Sequence, residues 1–460
     1  MIGRLSKRWQ KFIVIGAGAL LVGIGAGWLW REQLWPPTPR LSVAVDPTYK
    51  VEYETRIRGF FSQHQIELVI TDEVNAADIE IGPDRRAISA DIALPTVSRP
   101  VQLAGNQIIV AEPQAQAVST NQATLARQDA RTLVDDLAAL LSQDVGETWT
   151  LTALGDVILG RQVYAKMLQY GYTAPFTAMA KTVNDTDLTL ANLECTIADG
   201  LSYPTLGMSF TAPAAALKGL KLAGIDGVNL ANNHSLNGGE TGYLAMLKLL
   251  KEQSIAYFGG GADATQAYAA QTFTVKGTKV SLLGYSSIAG TVAAGAKVPG
   301  HAYFSLPPWG DQVESEIARM EADVKAAKSQ SDLVMVYVHW GAEYTHTASA
   351  EMRQVAHRLV DAGADVILGT HPHWVQGIEW YKDRLITYSL GNFVFDQEWS
   401  IETKQGVVLK ATFEGSRLVS AKFVPYQIED YHQPRLASQA TSKQILNDIY
   451  THSWWPGSSR

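Results

Sequence analysis

The sequence predicts an α/β protein whose main domain, residues 148–427, is built from layers of sheet and helix. Two observations lead to this prediction. Short runs of β-branched and apolar residues alternate with helical segments along this region, which is typical of layered α/β domains. Several of these runs also end abruptly in residues that ligate metals, and the carboxyl ends of neighbouring strands in such a domain open into one crevice.

Length and composition set the limits of the interpretation. The 460 residues are 46% hydrophobic and 18% charged, which is typical of a globular protein longer than one domain. The formal net charge of −7 and the lack of a basic stripe with interleaved aromatic residues argue against a nucleic-acid partner. The single cysteine, Cys195, cannot form an internal disulfide, so we expect the fold to depend on packing.

The N-terminus predicts a membrane anchor. Residues 1–11 are basic, and the uncharged run 12–30 is long enough as a helix to cross about 30 Å of hydrocarbon. Because positive charge stays on the cytoplasmic side, we expect a single-pass protein of the cell membrane with a cytoplasmic N-terminus and an extracytoplasmic main domain. A cleaved signal peptide is the alternative, since Gly25, Ala26 and Gly27 are small residues.

The remaining chain divides by composition and periodicity. Residues 31–40 predict a stiff proline-rich linker, residues 41–145 a smaller α/β domain without a chemical motif, and residues 428–460 a C-terminal tail. The strands predicted in the smaller domain span 41–45, 66–70, 77–81 and 107–110, and its helices span 51–64 and 120–141. In the main domain we predict helices at 162–170, 213–223, 243–253, 314–329 and 352–362, and further strands at 280–285, 384–389 and 407–413; a short helix near 442–450 lies in the tail.

Oxygen and imidazole donors follow the predicted strands of the main domain. The candidate metal ligands are Asp156, Glu194, Asn233, His339, His371 and His373. A mixed set without thiolate suits Mn, Zn or Fe, and a carboxylate can bridge two ions. Taken singly, Asp156 could instead cap a helix and His339 could be a core histidine. The pair His371 and His373, on either side of a proline, has little packing rationale, so we predict a metal site.

These residues resemble those of the bacterial capsule and poly-γ-glutamate synthesis proteins, the CapA/PgsA family, which is similar to the calcineurin-like metallophosphatases. The matching blocks are Gly155–Arg161, Asn192–Glu194, Ala231–His234, His339–Glu343, Gly369–His373 with Gln376, and Tyr388–Phe393. The resemblance implies a metallophosphatase-like αββα sandwich, one or two divalent ions on the six ligands, and His234 as the catalytic acid. Within or beside the same blocks, five further residues are expected to support the ligands or contact substrate: Asn192, Asn232, Glu343, Gln376 and Asn392.

One departure from the wider phosphatase pattern affects the number of ions. Where that pattern has Asp-x-His, this chain reads Asp156-Val157-Ile158, so one imidazole of a two-ion site is missing.

The resemblance also implies a function. We expect a membrane-anchored, metal-dependent hydrolase acting in the synthesis, release or tethering of an anionic envelope polymer such as poly-γ-glutamate. The scissile bond, a phosphodiester or a γ-glutamyl amide, stays open, because metal-assisted attack serves both. One alternative is a non-catalytic assembly or transport subunit that docks on membrane synthase subunits. Another is a phosphodiesterase for small phosphate esters.

Overall fold

The computed structural model describes residues 148–454 and, before them, the backbone of short strands between residues 40 and 111. The predicted basic segment 1–11, the membrane span 12–30, the linker up to residue 39 and the helices at 51–64 and 120–141 lie outside the described residues, as does the chain from residue 455. Within the part of the chain that is described, no helix combines the length and apolar character needed to cross a bilayer.

The structure divides into two compact units. The first contains the strands before residue 112: β1 (Arg40–Val45), β2 (Glu67–Thr71), β3 (Ile79–Ile81), β4 (Ala87–Ile88), β5 (Gln102–Ala104) and β6 (Gln107–Ala111). β1 pairs in parallel with β2 and β3, and β3 pairs antiparallel with β4. The four strands predicted in this region are confirmed to within two residues at each end.

The second unit takes in most of residues 148–454. Its strands are β7 (Thr148–Val157), β8 (Leu188–Leu193), β9 (Thr196–Ile197), β10 (Thr211–Ala212), β11 (Gly227–Asn229), β12 (Ala256–Phe258), β13 (Gly260–Gly261), β14 (Gln271–Val275), β15 (Thr278–Ser286), β16 (Gly300–His301), β17 (Leu333–His339), β18 (Val366–Thr370), β19 (Ile378–Tyr381), β20 (Arg384–Thr387), β21 (Asn392–Val394), β22 (Gln405–Glu414), β23 (Arg417–Glu429) and β24 (Gln433–Leu436).

Helices connect these strands. They are α1 (Arg161–Tyr170), α2 (Ala174–Thr177), α3 (Ala180–Val183), α4 (Leu217–Leu222), α5 (Gly239–Glu252), α6 (Ala264–Ala267), α7 (Glu314–Lys328), α8 (Ala350–Ala362) and α9 (Gln439–Thr451). The helix predicted at 213–223 is divided into a 3-10 turn, Ala214–Ala216, and α4. The segment predicted as a tail forms β24 and α9, and α9 begins where the Ser438 side chain accepts a hydrogen bond from the Thr441 amide.

Two large sheets organise the second unit. Sheet I has the order β12-β11-β8-β7-β22-β23, with β21 beside β7 and β24 beside β23, and sheet II has the order β14-β15-β17-β18-β20-β19. The central neighbours β7, β8 and β11 are parallel, and so are β15, β17, β18 and β20. Strands such as β8 and β17 are buried throughout, which is how parallel strands covered on both faces behave.

Each large sheet packs against its own helices. Val163 of α1, Leu220 of α4 and Met246 of α5 share a buried cluster with sheet I. Helices α7 and α8 share another with sheet II. The Tyr337 hydroxyl of sheet II donates to the Leu154 carbonyl oxygen of sheet I at 3.3 Å, so the two sheets are in contact. The prediction of a layered α/β domain is therefore confirmed.

Candidate functional site

Strand register brings the predicted ligands to one edge of the two sheets. In sheet I, Asp156 of β7 pairs with Asn192 of β8, which pairs with Asn229 of β11. In sheet II, His339 of β17 pairs with Thr370, the last residue of β18. Because β7, β8 and β11 run parallel to one another, as do β17 and β18, residues separated by as many as 215 positions meet at the carboxyl ends of the strands.

Asp156 lies at the centre of this edge and is fully buried. Its Oδ1 accepts a hydrogen bond from Asn192 Nδ2 at 2.7 Å, and its Oδ2 accepts from the His371 amide at 3.2 Å. His373 Nδ1 is 3.5 Å from Oδ2, and His339 Nδ1 is 3.8 Å from Oδ1. The carboxylate therefore contacts residues of both sheets.

The second ring nitrogen of His339 faces two other predicted ligands. His339 Nε2 is 3.0 Å from Asn233 Oδ1 and 3.7 Å from Glu194 Oε1. The opposite nitrogen, Nδ1, is 3.0 Å from the Thr370 hydroxyl. Burial, followed by the neighbouring histidines His371 and His373, lowers the pKa of His339 well below its usual value. A neutral imidazole is the form that ligates metals.

Glu194 and His371 carry buried polar atoms that have no partner. Both carboxylate oxygens of Glu194 and both ring nitrogens of His371 are buried without a hydrogen bond. Burial, reinforced by the charge of Asp156, raises the pKa of Glu194 well above its usual value, and burial lowers the pKa of His371. Native proteins leave few buried polar atoms unpaired, and a divalent cation satisfies both a carboxylate and an imidazole. The residues present therefore fit a metal ion.

The donor atoms form two groups that share His373. In one, ligand atoms of Asp156, Glu194 and His373 all lie within 4.8 Å of one another, and in the other those of Glu343, His371 and His373 do. Each group contains one of the two residues without partners. Glu343, which the sequence predicts as a supporting or substrate-contacting residue, is half-buried and is near enough to His371 and His373 to hold a metal with them.

Asn392 fixes the orientation of His373. Its amide nitrogen donates to Gln397 Oε1 and to the Thr403 carbonyl oxygen, so its Oδ1 accepts from His373 Nδ1 at 2.8 Å. His373 Nε2 consequently keeps its lone pair for a metal, an arrangement that is common around metal-binding histidines. His371 and His373 both have positive φ angles, 95° and 59°, which are costly outside glycine and occur at functional sites.

His234 lies beside the predicted ligand Asn233, and its ring stacks on Phe210 with a centroid distance of 3.8 Å. The backbone amide of Phe210 donates to Asn237 Oδ1, and His234 Nδ1 is 2.9 Å from the same oxygen. His234 Nδ1 therefore carries the hydrogen. Burial, partly opposed by the bond to Asn237 and reinforced by His373 and Arg161, lowers the pKa of His234 to about 4, so the imidazole is neutral at pH 7.

The other predicted residues have distinct roles. Asn232 donates to Asn192 Oδ1 and to the Leu193 carbonyl oxygen, which ties its loop to β8. Gln376 is buried but donates to the Thr345 carbonyl oxygen at 3.0 Å, so this bond supports the Thr345 loop.

Sequence reasoning assigned no role to two residues that contribute here. Asn229 donates to Asn192 Oδ1 at 2.9 Å and so holds the amide that contacts Asp156; its position at the end of an apolar run was an available signal. Arg161 follows Gly160 in the first matching block, has a positive φ of 51°, and lowers the pKa of Glu194 through its charge.

Comparisons with known proteins agree with the motifs. The family described as "Bacterial capsule synthesis protein PGA_cap" matches residues 150–397. The chain is 32% identical over 320 residues to the capsule biosynthesis protein CapA of Bacillus anthracis, an alignment covering 67% of this chain and 75% of that one.

Two other relatives are similar over shorter stretches. The PGA biosynthesis protein CapA of Bacillus subtilis (strain 168) is 31% identical over 251 residues, covering 54% of this chain and 63% of that one. A probable polyglutamine synthesis accessory protein of Mycobacterium tuberculosis is 27% identical over 277 residues, covering 57% and 72%. By its motifs, its family match and these relatives, the chain belongs to the bacterial capsule synthesis protein family PGA_cap, as the sequence predicts.

Proposed function

We propose that this protein acts in the synthesis, release or tethering of an anionic envelope polymer, poly-γ-glutamate or a related one, as a metal-dependent hydrolase. Family membership and the names of the relatives, which refer to capsule, PGA and polyglutamine synthesis, support the polymer. The main support for a metal-dependent hydrolase is a pair of buried side chains whose polar atoms have no hydrogen-bond partners, Glu194 and His371, inside a cluster of carboxylates and imidazoles.

The metal ligands in this proposal come from both sheets. Asp156, Glu194 and His373 would hold one divalent ion, Mn, Zn or Fe, with Asn233 and His339 close by; Glu343, His371 and His373 offer a second group of donors. When bound, such an ion supplies polarisation of a substrate oxygen and a lowered pKa of water. The clustering of strand ends around these residues supports a metallophosphatase-like sandwich as the finer description of the fold.

Proton transfer falls to His234 in the same scheme. Its Nδ1–H donates to Asn237, so Nε2 holds the lone pair. Because a pKa of about 4 leaves the ring neutral at pH 7, His234 first takes a proton from the attacking water at Nε2 and then delivers it to the leaving group. In this order of proton transfers, His234 still acts as the predicted acid, and the proton that it donates comes from the attacking water.

Anchoring in the cell membrane remains part of the proposal. Its support is the uncharged run 12–30 behind basic residues, with the main domain on the extracytoplasmic side. Synthase subunits in the same membrane are the partners that this placement favours.

The experiment combines metal analysis with a substrate panel. The purified full chain, its His371→Ala and His234→Ala variants and a control, His452→Ala, are analysed for bound Mn, Zn and Fe and assayed on poly-γ-glutamate and on phosphodiesters. We expect His371→Ala to lose metal and turnover together and His234→Ala to lose turnover alone. His452→Ala should lose neither, since the His452 ring hydrogen-bonds the Asp448 carbonyl oxygen and stacks on His346.

Three results would contradict the proposal or a part of it. If the wild-type chain binds no metal, the proposed metal-dependent hydrolase activity is refuted. No turnover of either substrate by the metal-loaded wild type instead favours a non-catalytic accessory role, the role that the name of the Mycobacterium tuberculosis relative suggests. Turnover of phosphodiesters with none of the polymer identifies the small-ester alternative.

A further inference from the structure

Arg161 is a nearly buried cation at the edge of the donor cluster. Its guanidinium forms an ion pair with Asp396, and the two side chains are only 14% and 4% exposed. Nη1 donates to the Gly207 carbonyl oxygen at 3.2 Å, and the guanidinium carbon lies 4.2 Å from the centre of the Phe210 ring. Asp396 also accepts from the Gln162 amide at 2.9 Å, so the carboxylate that orients Arg161 is itself fixed.

These contacts leave part of the guanidinium unused. Arginine has five N–H donors, and Arg161 Nε is buried without a hydrogen-bond partner. The backbone is also strained, since Arg161 has a φ of 51° directly after a strand-to-helix turn. A strained residue with an unpaired buried donor needs an explanation beyond packing, and an ion pair with Asp396 alone explains neither feature.

Arg161 is close to the residues that carry the proposed chemistry. Phe210, which lies against the guanidinium, also stacks on His234. The charge of Arg161 lowers the pKa of Glu194 and of His234, whereas Asp156 and Glu343 raise the pKa of Glu194. The cation therefore acts on the proton-transfer residue and on a metal ligand at the same time.

An anionic substrate needs such a cation. Asp156, Glu194 and Glu343 place carboxylates at the site, and like charges at short range repel an incoming anion. In a γ-linked glutamate chain, the carbon that carries the amide nitrogen also carries a free α-carboxylate. An arginine fixed beside the reacting bond can bind that carboxylate with a charge-assisted hydrogen bond, which a substrate without the anion cannot form.

We propose that Arg161 is the substrate-recognition residue of this site and that it binds an oxyanion of the substrate, the α-carboxylate next to a γ-glutamyl amide. The inference rests on the proposed function for the identity of the polymer. Asp396 is a positioning residue, because it holds one edge of the guanidinium and leaves the unpaired edge for the ligand.

The test measures binding of defined probes to the full chain by titration calorimetry, with and without Mn²⁺. The probes are γ-linked triglutamate, the same peptide with its α-carboxylates converted to amides, and inorganic phosphate. The variants are Arg161→Gln, Arg161→Lys and a control, Arg358→Gln, which removes an arginine paired with Glu314 and Glu321 away from the donor cluster. Metal content and thermal unfolding of each variant establish that it is folded.

We expect Arg161→Gln to weaken triglutamate binding by about 10- to 100-fold, the range for a lost hydrogen bond to a charged group, and Arg161→Lys to recover part of that loss. The amidated peptide should bind weakly to all variants alike, and Arg358→Gln should bind as the wild type does.

Equal triglutamate affinity for wild type and Arg161→Gln overturns the inference, and so does a loss confined to phosphate. The outcome is independent of the hydrolase proposal: a wild-type chain without metal refutes the hydrolase, while the dependence of triglutamate binding on Arg161 stays measurable without Mn²⁺.

Discussion

Replacing Glu194 by glutamine should make the metal-free protein more stable and remove the stabilisation that metal provides. In the wild type, both Glu194 oxygens are buried without partners, and Asp156 is a negative neighbour. An unpaired buried polar group costs about 1–3 kcal/mol, and more when it is charged. The Glu194→Gln amide can donate toward Asp156 or His339, so we expect a gain of about 1–3 kcal/mol in the free energy of unfolding.

The expected shift in Tm follows from the size of the unit. At roughly 2 °C per kcal/mol for a large domain, the metal-free variant should melt about 2–6 °C above the metal-free wild type. A metal at a hundred times its Kd stabilises the wild type by about 2.7 kcal/mol, which cancels most of the variant's advantage or reverses the order of the two proteins. The measurement is scanning calorimetry of the full chain after chelation and again after addition of Mn²⁺.

The pH dependence gives a second check on the metal-free proteins. Burial and Asp156 raise the pKa of Glu194, so the folded wild type binds a proton more tightly than the unfolded chain. The stability from this group is present below its unfolded pKa and is lost as pH rises through the folded pKa. The advantage of the Glu194→Gln variant over the wild type should therefore grow with pH.

A control and a contrary result complete the test. The exposed Glu240, in the first turn of α5, offers Glu240→Gln, which should change Tm little under either condition. Two outcomes would show that the unpaired Glu194 carboxylate is not a cation ligand. The metal-free Glu194→Gln variant would melt below the metal-free wild type, or Mn²⁺ would raise the Tm of the variant as much as that of the wild type.

Three further predictions concern stability. Burial lowers the pKa of His301 from 6.5 to about 4, so the unfolded chain takes up a proton before the folded one as the pH falls. The free energy of unfolding of the wild type should therefore decrease by about 3 kcal/mol between pH 7 and pH 4. Urea unfolding of His301→Gln at both pH values should show a smaller decrease. Gly155→Ala would place a Cβ 1.8 Å from the Gly391 carbonyl oxygen, so we expect destabilisation of about 3 kcal/mol or more. The measurement is the Tm of the variant, and an unchanged Tm would contradict the close packing of Gly155 on Gly391. Glu379→Gln removes the charge from the carboxylate that accepts from Arg353 at 3.1 Å and from the Tyr388 hydroxyl at 2.7 Å, and it should cost about 3 kcal/mol in denaturant unfolding. Arg353→Gln removes only part of these contacts and should cost less, and the cost of the double variant should be smaller than the sum of the two.

The sequence predicts the candidate ligand positions because each lies at or after the end of a buried strand. A polar residue at the end of an apolar run is a local signal, and parallel pairing converts it into proximity, as for Asp156, His339 and His371. Helix boundaries were less predictable. The segment 213–223 has helical periodicity, but a 3-10 turn precedes a helix that begins only at Leu217.

The residues that sequence reasoning placed less well depend on loop direction. Glu343 reaches His371 and His373 after Gly341, whose φ is 85°, and no periodicity encodes that turn. Gln376 sits in a matching block, yet its amide bonds the Thr345 carbonyl oxygen. Arg161 looks like an ordinary first residue of a helix, and only the three-dimensional contact with Phe210 relates it to His234. These placements follow from tertiary contacts and not from local pattern.

The proposed ligands Asp156 and Glu194 lie in β7 and directly after β8 of sheet I, whereas His373 follows β18 of sheet II. A bound ion would therefore act as a cross-link between the two sheets of the second unit, beside the hydrogen bond from the His371 amide to Asp156. The one cysteine of the chain, Cys195, is buried and free, so an internal disulfide cannot provide such a cross-link. Resistance to proteolysis should accordingly report whether the site is loaded.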